Sequence, residues 1–152
     1  MEIINETFRH ERYAIEEIFD YFGYKCVVIL QRLGHRCGYI GVPPTHPLFG
    51  VDYMDTYDKS NDIFVHGGLT YSGGEGYPLK EENLWWFGFD CIHLGDAPDI
   101  EAAEHTFDLN RYDRVYFDNI GRYGEVRDKE YVINELKSLA EQLHDIEVKG
   151  AK

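Results

Sequence analysis

Residues 24–42 read YKCVVILQRLGHRCGYIGV. The runs YKCVVIL and CGYIGV are rich in β-branched and aromatic residues, and the QRLGH between them carries a glycine at the length of a hairpin connection. An antiparallel hairpin is therefore the expected centre of the chain. Downstream, IFVHGGLTY (63–71) and LWWFGFDCI (84–92) have the same strand composition and are separated by the glycine-rich SGGEGYPLKEEN, which predicts a second antiparallel pair beside the first. Near the C-terminus, DKEYVINELKSLAEQLHDIE repeats Ile133, Leu136, Ala140 and Leu143 on one helical face, with Asp128 as its cap. The expected class is α+β: a single domain over residues 1–152, with an antiparallel sheet of about four strands packed by a helix over 128–146.

The flanking segments read less regularly. Residues 11–22 place Ile15, Ile18, Phe19 and Phe22 at helical spacing, which predicts a short amphipathic helix or an irregular lead-in ended by Gly23, residues 1–23 being the variable part of the chain. Residues 43–62 carry three prolines and many turn formers, and a loop of that length in a small domain is often functional. A short helix through DIEAAEHTF is one reading of the region after Asp96. Residues 148–152 read as a frayed tail.

The composition excludes several classes of function. The net charge of -13, from 28 acidic against 15 basic residues, repels phosphate backbones and anionic lipid, so no non-specific nucleic-acid binding is expected. The longest apolar runs, such as CVVIL, fall far short of the roughly 20 residues that cross a bilayer, and no membrane association is expected. The N-terminal MEIINETFRHERYAIEEIF lacks the basic-then-apolar order of a signal peptide. Cys26, Cys37 and Cys91 are widely spaced with no CxxC pair, which suits a reducing cytoplasm. Cys91, between bulky neighbours, reads as a buried hydrophobe rather than a nucleophile.

Two stretches concentrate groups that carry chemistry. In VHGGLTYSGGEG (65–76), an extended backbone would put His66 and Thr70 on one face, with Gly67 and Gly68 clearing space for a ligand or another backbone. The alternative is a bulge at the glycine pair and a satisfied, half-buried histidine. In WWFGFDCIHLGD (85–96), Asp90, His93 and Asp96 recur at intervals of three. A carboxylate beside an imidazole orients it and stabilises its charged form, and such a set can also bind a divalent metal. Asp96 can equally be a turn residue or a helix cap. His46 precedes Pro47, which restricts it to extended conformations and stiffens its presentation, whereas His35 falls in the hairpin turn. Trp85 and Trp86 must point to opposite sheet faces, and either can stack on a planar ligand.

Taken in order, GHRCGYIGVPPTHPLFG, VHGGLTYSG, WWFGFDCIHLGD and EYVINELKSLAEQL resemble a family of small proteins encoded by tailed phages and prophages, over about residues 24–143. The recurring polar positions of that pattern fall on His35, Cys37, His46, His66, Thr70, Asp90, His93 and Asp96. Where the pattern often carries alanine around the histidine, this chain has Ile92 and Leu94, which implies a different pocket size. The resemblance implies a phage-related setting, an accessory role toward host physiology or host defence in the bacterial cytoplasm, and no particular reaction.

Three functions follow as expectations. The first is a hydrolase in which His46, His66 and His93 converge with Thr70, Asp90 and Asp96, while Gly67, Gly68 and Trp85 line the site for a small nucleotide-like host signal cleaved at a phosphoester or glycosidic bond. A metal-assisted version would use Asp90 and histidines to activate water. The second is a sponge that holds the same signal without breaking it. The third is an acidic inhibitor that binds a host defence protein, against which stands the dispersal of the acids among many aromatics.

Overall fold

The computed structural model describes residues 12–59, 63–81, 83–120 and 123–150. The fold is α+β: a five-stranded antiparallel sheet packed against a C-terminal helix. Its strands are β1 (Tyr13–Tyr21), β2 (Tyr24–Gln31), β3 (Arg36–Val42), β4 (Tyr71–Gly73) and β5 (Trp85–Asp90), in the order β1-β2-β3-β5-β4. Two further strands, β6 (Asp96–Ala97) and β7 (Glu125–Val126), form a small parallel pair. The helices are α1 (Ile100–Thr106), α2 (Arg111–Ile120) and α3 (Lys129–Gly150), and a 3-10 helix spans Tyr53–Lys59 within the long proline-containing loop. No helix of the described residues is long and apolar enough to cross a membrane.

The central hairpin is β2 and β3, registered from Lys25↔Gly41 to Leu30↔Arg36. Both strands are buried along nearly their whole length because the sheet is covered on both sides. Tyr24, Cys26 and Val28 of β2, with Ile40, Val42, Phe87 and Phe89, face α3, which contributes Val132, Leu136, Leu139, Ala140 and Leu143. Gly38 makes this approach feasible, since a Cβ there would lie 2.5 Å from the Phe89 ring and 3.1 Å from Val132. Val27, Ile29, Cys37, Tyr39 and Trp86 face the other way, against Leu79, Tyr71 and Tyr77. The glycine-rich segment after β4 is thus the cover of the second face and not a mere connection. Trp85 packs beside the first cluster and Trp86 within the second, on opposite faces as adjacent strand residues must be.

Three sequence expectations need correction. Residues 13–21 form a strand and not a helix. The register of β1 on β2 shifts between Ile15 and Glu17, so Glu16 bulges and Ile15 and Ile18 come to the same face three residues apart. A bulge in a strand had imitated the spacing of a helix. The turn after it uses Phe22 (φ 52°) and Gly23 (φ 83°), the two left-handed positions of a type I′ hairpin. The stretch 63–70, expected as a strand, makes no ladder, and only Tyr71–Gly73 pairs with β5. Helix α3, finally, continues to Gly150 rather than fraying from Val148, and residues 151–152, like 1–11, lie outside the described residues.

One charged residue is sunk into this frame. Arg36 is buried, donating to Glu16 through Nε (2.7 Å) and Nη2 (3.0 Å), to Asp99 Oδ2 (2.7 Å) and to the Arg127 carbonyl (3.2 Å). It thereby joins the bulge of β1, the N-cap of α1 and the residue before the Asp128 cap of α3.

Placing a charge on the sheet-facing side of α3, as Leu136→Asp or Leu143→Asp, should destabilise the protein by several kcal/mol in urea unfolding. A loss below about 1 kcal/mol for both, the scale of ordinary surface changes, would show that this face is not the core. Arg36→Met strips Glu16 and Asp99 of their shared partner and is expected to cost about 3 kcal/mol or more in the same measurement.

Candidate functional site

Around Phe64 and His66 the loop is held by helix α3, and its backbone meets the sheet at Thr70, whose amide donates to the Gly88 carbonyl of β5 at 2.9 Å. Gln142 brackets Phe64, accepting from its amide at 2.8 Å and donating to its carbonyl at 2.7 Å, and Glu135 Oε1 accepts from the His66 amide at 2.8 Å. These side chains stand where a neighbouring strand would. The chain then turns at Gly67 (φ 69°) and Gly68 (φ 79°), with the Gly68 amide donating to the Val65 carbonyl. Left-handed backbone at two successive residues is costly for anything but glycine. A Cβ on Gly67 would also stand 2.2 Å from His93 Nε2. Gly67 therefore admits a second imidazole against the backbone.

Around this turn the structure gathers His66, Gly67, Gly68, Thr70, Asp90, His93 and Asp96. His66 Nε2 lies 2.8 Å from Asp96 Oδ2 and Nδ1 lies 2.7 Å from the Tyr131 hydroxyl, so both ring nitrogens are engaged. Asp96 also accepts from Arg127 Nε at 2.9 Å and from the His93 amide at 3.0 Å. Burial alone would raise the Asp96 carboxyl, but the bonds from His66, Arg127 and the His93 amide outweigh it and hold the group below the usual carboxylate range. An ionised Asp96 makes His66 Nε2 the donor in that pair and leaves Nδ1, in neutral imidazole, to accept from Tyr131.

The second pair is more open. His93 Nε2 is 3.1 Å from Asp90 Oδ1 but out of line for a hydrogen bond, and it is buried. Asp90 is fixed by the Thr70 hydroxyl at 2.9 Å and the Ile92 amide at 3.1 Å. The His93 side chain is 37% exposed against 13% for His66, and the two rings stand 6.0 Å apart. His93 also borders an open cleft of about 610 Å³ between the turn 92–96 and α2. Two imidazoles, each beside a carboxylate, are equipped for proton transfer. The metal-assisted version gains nothing here, since no group of three or more His, Cys, Asp or Glu among the described residues is disposed to hold a metal ion.

Two expected members stand elsewhere. His46 is buried, with Nε2 on the Leu143 carbonyl at 2.8 Å and Nδ1 accepting from the Leu48 amide at 3.0 Å. Its proline-stiffened presentation serves to fasten the loop after β3 to α3. Trp85 donates to the Val51 carbonyl at 2.9 Å and lines a separate cleft with Phe49, Tyr71 and Gly73. It cannot stack on a ligand beside His93 because it points from the other end of β5, in register with Val42, while Asp90 is opposite Cys37. His35, from the hairpin turn, bonds the Cys91 carbonyl and the Tyr116 hydroxyl, each at 2.9 Å. All three cysteines are buried with free thiols, and burial pushes each up to about 12, far from the thiolate form.

Tyr131 and Arg127 were not expected. Arg127 lies 5.0 Å above the Tyr131 ring and closes the network Arg127, Asp96, His66, Tyr131. The only trace of them in the chain is their position around Asp128, whose side chain caps α3 by accepting from the Tyr131 amide at 2.8 Å.

No family model, curated protein or solved structure matches the chain.

Burial lowers the proton affinity of His35 and His46, and their backbone hydrogen bonds only partly oppose it. As pH falls through the ordinary histidine value of about 6.5, the unfolded chain takes up these protons first. Their contribution is therefore complete above that value and is lost below it, by up to about 1.4 kcal/mol per pH unit for each site. Urea unfolding at pH 7 and pH 5.5 should show this loss, and His46→Gln should reduce the difference between the two pH values.

Proposed function

We propose that the chain is an acid–base hydrolase that cleaves a glycosidic bond in a small nucleoside-like molecule. The observation that carries this reading is His93, held beside Asp90 with Nε2 buried and without a hydrogen-bond partner among the described residues, on the wall of a cleft that Asp96 also borders. The sign of the charge selects the bond. The network around the two imidazoles holds, among the described residues, Asp90, Asp96, Glu125 and Glu135, and the guanidinium that meets these carboxylates, Arg127, is already engaged by Asp96 and Glu125. A phosphoester's anionic oxygens find no free cation in that network, whereas the oxocarbenium-like transition state of glycoside cleavage is positive and is stabilised by fixed carboxylates.

In the reaction, protonated His93 gives its proton to the departing group as the glycosidic bond breaks. Water captures the sugar cation and yields a proton to the Asp90–His93 pair, which restores the acid. Thr70 holds Asp90 in place, while the Asp96–His66–Tyr131 chain fixes the turn and supplies negative charge behind it. The likeness to phage and prophage proteins supports an accessory role in the bacterial cytoplasm, with a nucleoside-derived host signal as the substrate.

The complete engagement of His66 favours a second reading, a sponge that binds the signal and leaves it whole, because a fully bonded network holds a ligand as well as it turns one over. Incubation with a panel of nucleosides, nucleotides and cyclic nucleotide signals, followed by denaturation and mass spectrometry of what is released, separates the two. Free base and sugar are expected, and intact ligand would establish the sponge. His93→Ala should lower turnover by roughly 10²- to 10⁴-fold in a folded protein. Turnover equal to the parent's would remove His93 from the mechanism.

A further inference from the structure

The cleft beside His93 has a rim of a kind that soluble surfaces seldom display. Leu94 is 107% exposed, Tyr123 78%, Ile92 49% and Ile120 47%, and all four line the same 610 Å³ space. Single exposed apolar residues are ordinary, but several converging on one concavity mark a binding surface. One side of the rim is tied back by main-chain hydrogen bonds. The Ile92 amide is tied to Asp90, the His93 amide to Asp96, the Asp96 amide to the His93 carbonyl at 2.9 Å and the Glu125 amide to the Gly95 carbonyl at 2.8 Å. Gly124 permits the last contact, since a Cβ there would lie 2.4 Å from the Gly95 carbonyl oxygen. The two carboxylates that stand beside the imidazoles thus also hold Ile92 and Leu94 out toward the opening.

The polar groups of the cleft suit a neutral heterocycle. Asn119 offers both a donor and an acceptor, and His93 lines the same space with a ring edge, its Nε2 being turned inward against Gly67. Among the described residues no lysine or arginine lines the space, and Asp96 does. A volume of this size lies within the range of small-molecule sites, and aromatic and aliphatic walls with a few edge-reading polar groups are how proteins take up unstacked bases.

We infer that this cleft is the seat of the uncharged planar base of a nucleoside-type ligand, packed between Leu94 and Tyr123 and met at its edge by Asn119 and His93, and that it discriminates against phosphorylated forms. For its catalytic consequence the inference rests on the hydrolase reading, since a base seated here brings its glycosidic nitrogen toward His93. As a statement about binding it stands apart from that reading.

The test is calorimetric titration of the full chain with adenosine, guanosine, cytidine and uridine, each beside its 5′-triphosphate. At least one nucleoside should bind, with its triphosphate weaker by about tenfold or more. Leu94→Asp and Tyr123→Ala, both at exposed positions, should weaken that nucleoside by about tenfold while leaving unfolding unchanged, the scale of losing one stacking contact. Triphosphates binding as well as nucleosides, variants binding like the parent, or no nucleoside binding at all would each overturn the inference. So would self-association of the parent abolished by Leu94→Asp without any nucleoside binding, which would identify the rim as a contact between copies. Binding without cleavage would sink the hydrolase and leave the cleft assignment standing. Cleavage undiminished in Leu94→Asp and Tyr123→Ala would do the reverse.

Discussion

A guanidinium buried at the start of the third strand organises much of this molecule. Arg36 could not stay charged in the interior without partners on several sides, because removing an ion from water costs several kcal/mol that only close, well-aligned counter-charges offset. It finds them in Glu16 and Asp99, with the Arg127 carbonyl as a third acceptor. Glu16 is the residue that bulges out of the β1 register, so the phase of the edge strand is tied to this contact. Asp99 caps α1 through the Ala102 amide, and Arg127 immediately precedes the Asp128 cap of α3. One side chain thereby sets an edge strand, a short helix and the approach to the long helix against each other.

The consequences reach the candidate site through Arg127. With its carbonyl held by Arg36, its guanidinium is directed to Asp96, and Asp96 in turn holds His66 and the amide of His93. The carboxylates have two tasks each. Asp90 and Asp96 shape the turn between β5 and β6 through main-chain amides, and they stand within 3.1 Å of the two imidazoles. Any change at these positions would disturb backbone and proton chemistry together, because an ionised carboxylate has enough lone pairs to serve both. This economy favours a rigid site over a mobile one.

The legible parts of the fold were those with strong local signals. The hairpin of β2 and β3, the strand through Trp85–Asp90 and the helix behind Asp128 each announce themselves by composition, periodicity or cap. The illegible parts share one cause, which is that their conformation is set by residues distant in the chain. Ile15 and Ile18 are spaced as on a helix because Glu16 leaves the ladder for Arg36. The loop at 63–70 has the composition of a strand, yet at Phe64 and His66 its partners are Gln142 and Glu135 on α3. Tyr131 and Arg127 look like ordinary members of a helix start until Asp96 and His66 are brought to them.

By itself the sequence determined the α+β class, the central hairpin, the amphipathic helix and a concentration of imidazoles and carboxylates in two glycine-bearing stretches, since these depend on neighbours a few residues apart. Tertiary structure alone decided which of those groups meet. Gly67 accommodates the ring of His93 against its backbone, Thr70 reaches Asp90 across 20 residues and Asp96 reaches His66 across 30, while His46 is drawn away to the Leu143 carbonyl and Trp85 to that of Val51. The physical reason is that a hydrogen bond between side chains is fixed by the packing that brings two strands or a loop and a helix within 3 Å, and that packing is a property of the whole core rather than of any window of the chain.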